Sequence, residues 1–237
     1  MKIDFPTFIK KWTRPPANQF PVGSRVYKGY QGSGKTLSMV KYAFDIAKAF
    51  PRCQIWSNIK IKGLPNYHFI ENDDDVKTAL EFPNGAGGVL VLLDEAHLYF
   101  NKKSGIPLDV LTAISQQRKD RRRIVFSSQI WEELDISLRK QVKEIVSCHC
   151  FFSKIQYNQI YDGETLTFDK LQSSYVAKKI RSEIFKHYDT LYQSYSTYQK
   201  ITTNSSYSRS YNPSPTSIIS VDTASYRRRQ PFSAKYL

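Results

Sequence analysis

The central part of the chain, residues 24–152, alternates short apolar segments with segments in which apolar residues recur at helical spacing. Continuous apolar segments are typical of strands covered on both faces, and helical spacing is typical of helices that cover a sheet. The alternation therefore predicts an α/β domain with a mostly parallel central sheet flanked by helices. The predicted strands are residues 25–28, 54–57, 67–70, 89–94, 123–128 and 143–151.

Two of these elements carry the strongest pattern. Residues 89–93 are apolar at every position, which predicts a strand at the centre of the sheet. A helix is predicted directly after the glycine-rich residues 29–34, because Leu37, Val40 and Phe44 fall on one helical face. The residues at the ends of these two elements are therefore the first place to look for chemistry.

The two ends of the chain differ in composition from this central part. Residues 1–22 are aromatic, basic and interrupted by proline, and we interpret them as an arm that packs on the domain or on a neighbouring subunit. Residues 23–195 form the predicted domain, which includes a hairpin around Asp162-Gly163 over residues 155–170. Residues 196–237 are rich in Ser, Tyr and Arg and are interpreted as a flexible tail.

The charge balance adds a class of partner. The chain has 35 Lys and Arg residues against 21 Asp and Glu residues, which gives a formal net charge of +14. Such an excess favours a polyanionic partner, either nucleic acid or an anionic membrane surface. A basic protein that is merely soluble is the alternative.

Cysteine content and hydropathy indicate the compartment. Cys53, Cys148 and Cys150 form no disulfide framework and suit a reducing cytoplasm. No segment approaches the roughly 20 apolar residues of a membrane span. We therefore expect the protein in the cytoplasm, associated with a membrane only through partners or a basic surface.

Residues 29–36 fit the phosphate-loop pattern G-x-x-x-x-G-K-[ST] at every fixed position. Glycines allow successive backbone N–H groups to turn toward phosphate oxygens, and the N-terminus of the following helix attracts the same negative charge. Lys35 is expected to contact the β- and γ-phosphates of ATP, and the Thr36 hydroxyl to bind Mg²⁺. A chance glycine-rich turn is disfavoured by the strand before it and the helix after it. The predicted nucleotide-binding residues are Gly29, Gly32, Ser33, Gly34, Lys35 and Thr36.

The second motif, Asp94-Glu95, follows the buried strand directly. Ligands of open α/β sheets bind at the carboxyl ends of the strands, so this pair is expected beside the phosphate loop. Asp94 would then support Mg²⁺, and Glu95 would orient and deprotonate the attacking water. An acidic strand end is the alternative for the pair alone. The interval between the motifs leaves room for an extra strand, 54–57, and resembles the RecA-like, additional-strand, catalytic-glutamate class of P-loop ATPases.

Three further positions extend the predicted site. Gln129 ends an apolar strand and is expected to hydrogen-bond the γ-phosphate or the lytic water. Arg118 is the candidate arginine finger for a neighbouring subunit's ATP, and residues 121–123 are candidate nucleic-acid or interface contacts. A solvated basic face and a plain strand end are the alternatives. His97 is interpreted as a local structural residue or as a support for the site.

These motifs, in this order, resemble the zonula occludens toxin-like (Zot) ATPases of filamentous phages and mobile elements, within the FtsK–HerA group. The similarity covers residues 24–150. The matching segments are the phosphate loop and residues 57–65, 91–97, 117–118, 127–129 and 137–139.

The resemblance implies an ATPase that assembles into a ring, usually a hexamer, and moves DNA during phage extrusion, genome packaging or conjugation. It implies sequence-tolerant contacts to the DNA backbone and further contacts to capsid, coat or membrane assembly proteins. Many members carry a membrane span after the ATPase domain and this chain shows none, so its compact size instead resembles viral packaging ATPases. An assembly or secretion ATPase acting on coat or membrane proteins is the alternative, and a small-molecule kinase is disfavoured because Glu95 suits water activation.

Overall fold

The computed structural model describes residues 19–100, 105–106, 108–117, 119–129, 131, 134–169 and 174–196. Its strands are β1 (Gly23–Lys28), β2 (Gln54–Ser57), β3 (Tyr67–Phe69), β4 (Val89–Leu93), β5 (Arg122–Ser128), β6 (Val142–Phe151), β7 (Ile155–Asp162), β8 (Thr167–Asp169), β9 (Ser174–Val176) and β10 (Lys179–Lys186). Its helices are α1 (Lys35–Ala49), α2 (Asp73–Glu81), α3 (Leu108–Gln116), α4 (Ile136–Lys140) and α5 (Asp189–Gln193).

Within the described residues, eight strands form one sheet in the order β10–β7–β6–β1–β5–β4–β2–β3, and β8 pairs with β9 separately. β1 runs parallel to both of its neighbours, β5 and β6, and β4 runs parallel to β5 and β2. β7 and β10 extend the sheet in antiparallel pairing beyond β6. The prediction of a mostly parallel central sheet flanked by helices is confirmed.

The two motifs follow strands β1 and β4. The strand that lies between β1 and β4 in the sheet is not one that lies between them in the sequence. β5 separates β1 from β4, whereas β2 lies on the outer side of β4. Strands β4 and β5 are buried along their whole length, so they take the centre of the sheet, and the shorter β2 pairs outside them. The interval between the two motifs therefore does contain an extra strand, 54–57, but this strand pairs on the outer side of β4.

The core consists of two apolar layers, one on each face of the sheet. Leu90 and Leu92 of β4 belong to the layer formed with α1, which includes Val40. Val91 and Leu93 belong to the opposite layer, which α2 and α3 cover. Alternate residues of one strand therefore enter different layers, which explains why the whole segment is apolar.

The prediction of a hairpin around Asp162-Gly163 is wrong, because β7 does not pair with the strand that follows it. β7 ends at Asp162 and pairs with β6 through a turn at residues 152–154, in which Phe152 and Ser153 have φ of 53° and 52°. Neither residue carries the Asn-Gly signal of such turns, so the sequence did not mark the true turn. The Asp162 carboxylate instead accepts a hydrogen bond from the backbone N–H of Glu164 at 3.0 Å.

The basic segment 121–123 is not the surface patch that the sequence predicted. Arg122 and Arg123 belong to β5 and are only 2% and 3% exposed. Arg122 donates to the Asp120 carboxylate at 3.2 Å and to the Phe82 carbonyl at 3.0 Å. The interpretation of this segment as a nucleic-acid or interface contact is therefore wrong for Arg122 and Arg123, because these neighbouring side chains face opposite sides of the sheet and both sides of β5 are covered.

A buried ion cluster joins β1, β5 and β6. The Glu144 carboxylate lies 3.0 Å from Arg25 Nε and also contacts the Arg123 guanidinium. The ring of Tyr42 on α1 faces Arg25, with 4.4 Å between Cζ and the ring centroid. Burial alone would raise the Glu144 pKa, but Arg123 and Arg25 outweigh it and lower the pKa to about 2.

The predicted chain organisation is described only in part. Phe20, near the end of the predicted arm 1–22, is buried against Phe50 with ring centroids 5.2 Å apart. Residues 1–18 and 197–237, which hold the rest of the arm and nearly all of the predicted tail, lie outside the described residues. Of the helices in the described part of the chain, none combines the length and the apolar character needed to cross a membrane.

Replacing Glu144 with Gln is expected to lower the free energy of unfolding at pH 7 by about 3 kcal/mol, because two buried guanidinium groups lose their carboxylate. The folded pKa lies below the unfolded value, so the contribution is present above about pH 4.3 and is lost as the pH falls through about 2. Urea unfolding at pH 7 and pH 3 measures this, and the difference between wild type and E144Q should shrink at pH 3.

Asp45→Asn is the matched control, because Asp45 pairs with Lys41 on the exposed surface of α1. Exposed pairs contribute at most about 1 kcal/mol, so D45N should change stability little. An E144Q protein as stable as wild type at pH 7 would contradict the role given to this cluster.

Candidate nucleotide site

The phosphate loop occupies residues 29–34 between β1 and α1 and contains Gly29, Gly32, Ser33 and Gly34. Gly34 precedes the helix with φ 82° and ψ 25°, in the left-handed region that favours glycine. A Cβ on Gly34 would also lie 2.0 Å from Gln156 Oε1, so the Gln156 side chain would have to move to admit it. The backbone conformation therefore favours glycine where the loop enters the helix, and the present position of Gln156 depends on it.

Lys35 bends back over the loop that it follows. Its Nζ donates to the backbone carbonyls of Gly29 at 3.0 Å and Tyr30 at 3.1 Å. The side chain is largely buried, with the residue 7% exposed. The ammonium group and the helix N-terminus together make this loop attractive to phosphate oxygens.

The structure brings Thr36 and Asp94 into direct contact, as predicted from the two motifs. Thr36 Oγ1 donates to Asp94 Oδ2 at 2.9 Å, and the Ser127 hydroxyl donates to Asp94 Oδ1. Burial raises the Asp94 pKa, while the hydrogen bonds from Ser127 and Thr36 oppose the rise. A hydroxyl beside a carboxylate is the donor set with which phosphate-bound Mg²⁺ is commonly held, so these residues fit that ion.

Asn58 is a site residue that sequence reasoning did not assign. Its Oδ1 accepts from the Asp94 N–H at 2.8 Å, and its Nδ2 donates to the Asp94 carbonyl at 2.9 Å. This two-point contact fixes the backbone of Asp94 from the side of β2. The only available signal was a polar residue directly after a predicted strand, inside the segment 57–65 quoted for the family resemblance.

Glu95 is held through one of its carboxylate oxygens, and a histidine ring lies near the other. Gln129 Nε2 donates to Oε1 at 2.8 Å, and His97 Nδ1 lies 3.3 Å from Oε2. The backbone N–H of Glu95 donates to the Ser127 hydroxyl at 3.0 Å. Glu95 itself has φ 52° and ψ 50°, a left-handed conformation that is costly for a residue with a side chain. Surrounding contacts thus maintain a strained residue at the point where the predicted catalytic base stands.

Arg118 lies outside the described residues, so its predicted role as an arginine finger stays a prediction. The residues on either side of it, Gln117 and Lys119, come before the start of β5. They therefore lie near the amino ends of the parallel strands, whereas Asp94 lies at the carboxyl end of β4.

Comparison with known proteins identifies relatives of this fold. The family model described as zonular occludens toxin (Zot) matches residues 25–199. The crystal structure of the N-terminal domain of zonular occludens toxin from Neisseria meningitidis aligns with a TM-score of 0.55 and 22% sequence identity, covering 73% of this chain and 98% of that chain. A search of curated proteins finds no match.

Weaker likenesses extend to two other ATPases. The genome packaging NTPase B204 from Sulfolobus turreted icosahedral virus 2, in complex with ATP-gammaS, aligns with a TM-score of 0.48 and 14% identity, covering 70% of this chain and 98% of that chain. The cytoplasmic domain of the type VII secretion ATPase EccC from Thermomonospora curvata aligns with a TM-score of 0.44 and 8% identity, covering 67% and 24%.

The Neisseria domain confirms the fold, and the family model spans β1 to the end of the described residues. The ordered motifs agree with this match, since the phosphate loop and Asp94-Glu95 both lie within it. The chain therefore belongs to the zonular occludens toxin (Zot) family.

Proposed function

We propose that this protein hydrolyses ATP with Mg²⁺ and uses the energy to move DNA for a virus or mobile element, in genome packaging or in phage assembly and extrusion. One observation supports the hydrolytic part most strongly. The phosphate loop, the Thr36–Asp94 contact and the held carboxylate of Glu95 converge at the carboxyl ends of β1, β4 and β5. A triphosphate bound by the loop would extend toward both carboxylates.

The loop and Lys35 bind the phosphates in this proposal. Backbone N–H groups of residues 29–34 and the Lys35 ammonium would contact the phosphate oxygens. Mg²⁺ held by Thr36 and Asp94 would neutralise charge on the β- and γ-phosphates. The hydrogen bond from Ser127 keeps Asp94 aimed at this position.

Glu95 acts as the general base. A water in line with the γ-phosphate would donate its proton to the Glu95 carboxylate, which is already oriented by the hydrogen bond from Gln129. A base that activates water favours hydrolysis over transfer of the phosphoryl group to a small molecule. The contact between Gln129 and Glu95 also gives the end of β5 a direct link to the reaction.

Family membership and charge support the proposal of a ring that acts on DNA. The net charge of +14 suits the sequence-tolerant phosphate contacts of DNA. An arginine finger at Arg118 would serve a neighbouring subunit's nucleotide. We propose a homo-oligomeric ring, a hexamer, in the host cytoplasm with capsid, coat or membrane assembly proteins as further partners.

An assembly or secretion ATPase that acts on coat or membrane proteins is the second candidate. Exposed apolar side chains on the antiparallel extension favour it, since such residues suit protein contacts. Phe152 at the turn between β6 and β7 is 89% exposed, and Ile184 on β10 is 70% exposed. The two candidates share one hydrolytic site and differ in what stimulates it.

Lys35→Ala is expected to abolish binding of Mg·ATP, whereas Glu95→Gln should retain binding and lose at least about 100-fold in hydrolysis rate. Lys35 contacts phosphate in both ground and transition states, and Glu95 acts only on the water. Phosphate release and titration with a fluorescent ATP analogue measure the two effects. Lys48→Ala, an exposed lysine in the last turn of α1, is the matched control and should leave both values unchanged.

DNA is expected to stimulate hydrolysis several-fold at low salt and progressively less as salt rises, because phosphate contacts release bound counterions. Steady-state phosphate release with and without duplex and single-stranded DNA, across a salt series, checks this. Hydrolysis indifferent to DNA but stimulated by a coat or membrane assembly protein would replace the DNA proposal with the second candidate.

A further inference from the structure

The phosphate loop is supported on the side away from Asp94 by a polar side chain of β7. Gln156 is 0% exposed although it carries an amide. Its Nε2 donates to the Ser33 carbonyl in the loop and to Asn158 Oδ1, both at 2.9 Å. Its Oε1 occupies the space beside Gly34 that a Cβ would fill. A buried polar group placed this close to the loop backbone calls for an explanation beyond packing.

A chain of hydrogen bonds fixes which way the Gln156 amide points. The Tyr192 hydroxyl lies 2.6 Å from His187 Nδ1, and His187 Nε2 lies 3.3 Å from Gln156 Oε1. Because the Ser33 carbonyl can only accept, the Gln156 amide nitrogen faces it and Oε1 faces His187. Oε1 then accepts from a protonated His187 Nε2, and the unprotonated Nδ1 accepts from the Tyr192 hydroxyl. Burial lowers the His187 pKa, which favours this neutral ring.

The same network is anchored to the helix that carries Lys35 and Thr36. Asn158, two residues along β7, donates through Nδ2 to Ser38 Oγ at 3.0 Å. Ser38 is in the first turn of α1 and is 3% exposed. The network therefore contacts both the loop and the helix start, which are the two parts of the chain that bind phosphate.

The hydrogen bond to the Ser33 carbonyl has a consequence for the next amide. In a trans peptide the C=O and the following N–H point in opposite directions. Gln156 holds the Ser33 carbonyl toward β7, so the Gly34 N–H points away from β7, toward the inner side of the loop. A carbonyl turned inward at this point would repel a phosphate oxygen, and the N–H attracts one.

We propose that Gln156 is a positioning residue for the nucleotide, which orients the Ser33–Gly34 peptide so that its N–H binds the phosphate shared by ADP and ATP, and that His187 orients Gln156. The inference rests on the nucleotide binding proposed above and adds a determinant of affinity to it. Gln156 acts through the loop backbone and lies on the side of β1 away from Glu95. It therefore sets nucleotide affinity and leaves the chemical step unchanged.

Gln156→Ala and Gln156→Met test this inference, because the Met side chain keeps the volume and loses the amide. Both variants are expected to raise the Kd for Mg·ADP and for Mg·ATP about tenfold, which corresponds to about 1.4 kcal/mol of binding free energy, because the Ser33–Gly34 peptide is no longer held in the binding orientation. The kcat at saturating ATP should stay within about twofold of wild type. His187→Ala should raise both Kd values in the same direction by a smaller factor.

Gln159→Ala is the matched control. Gln159 is the same residue type on the same strand, but it lies on the opposite face and bonds to Tyr157 and Tyr161. Its loss should leave both Kd values unchanged. Thermal unfolding without nucleotide confirms that each variant is folded, and H187A leaves Gln156 in place if both Gln156 variants fail to fold.

The outcomes separate the two proposals. Wild-type protein that binds neither Mg·ADP nor Mg·ATP overturns the nucleotide site and this inference with it. Wild-type binding that Q156A and Q156M retain at full affinity overturns only the role of Gln156. A fall in kcat with unchanged Kd values, or a Kd that Q156M restores to the wild-type value, also overturns it.

Discussion

The site depends on a single buried carboxylate that two hydroxyls share. Asp94 accepts from Thr36 at the start of α1 and from Ser127 near the end of β5, and Asn58 holds its backbone from β2. These contacts form only if β4, β5 and β2 end at the same level of the sheet and α1 begins there. Parallel pairing with a fixed register provides that alignment. The sheet therefore brings four separate segments of the chain together into one oxygen-rich site.

The surrounding residues compensate the unfavourable burial and backbone strain at the site. Burial raises the Asp94 pKa, and Glu95 adopts a backbone conformation that residues with side chains rarely take. Hydrogen bonds from Ser127 and Thr36 to Asp94, and from Gln129 to Glu95, compensate these unfavourable features. The apolar layers on both faces of β4 supply the stability that permits such local strain.

Sequence patterns predicted the parts of the molecule in which local residues decide the outcome. The apolar segment 89–93 became the buried central strand, and the phosphate loop and Asp94 met because parallel strands end at one edge. Asn58 and Gln156 were missed because their partners are defined only after strands pair. Arg123 was misread because charge suggests the surface, whereas its partner Glu144 is distant in the chain. Roles that depend on a second subunit or on DNA are not encoded in the fold of one chain.

The pairing of β1 has a consequence for biosynthesis. Both of its neighbours, β5 and β6, lie more than half the described chain downstream, so β1 has no sheet to join while the ribosome is still translating the segments between them. During synthesis, β1 and the glycine-rich loop after it therefore lack their neighbouring strands until β6 has left the ribosomal exit tunnel. The phosphate loop thus acquires its shape late, after most of the domain has been synthesised.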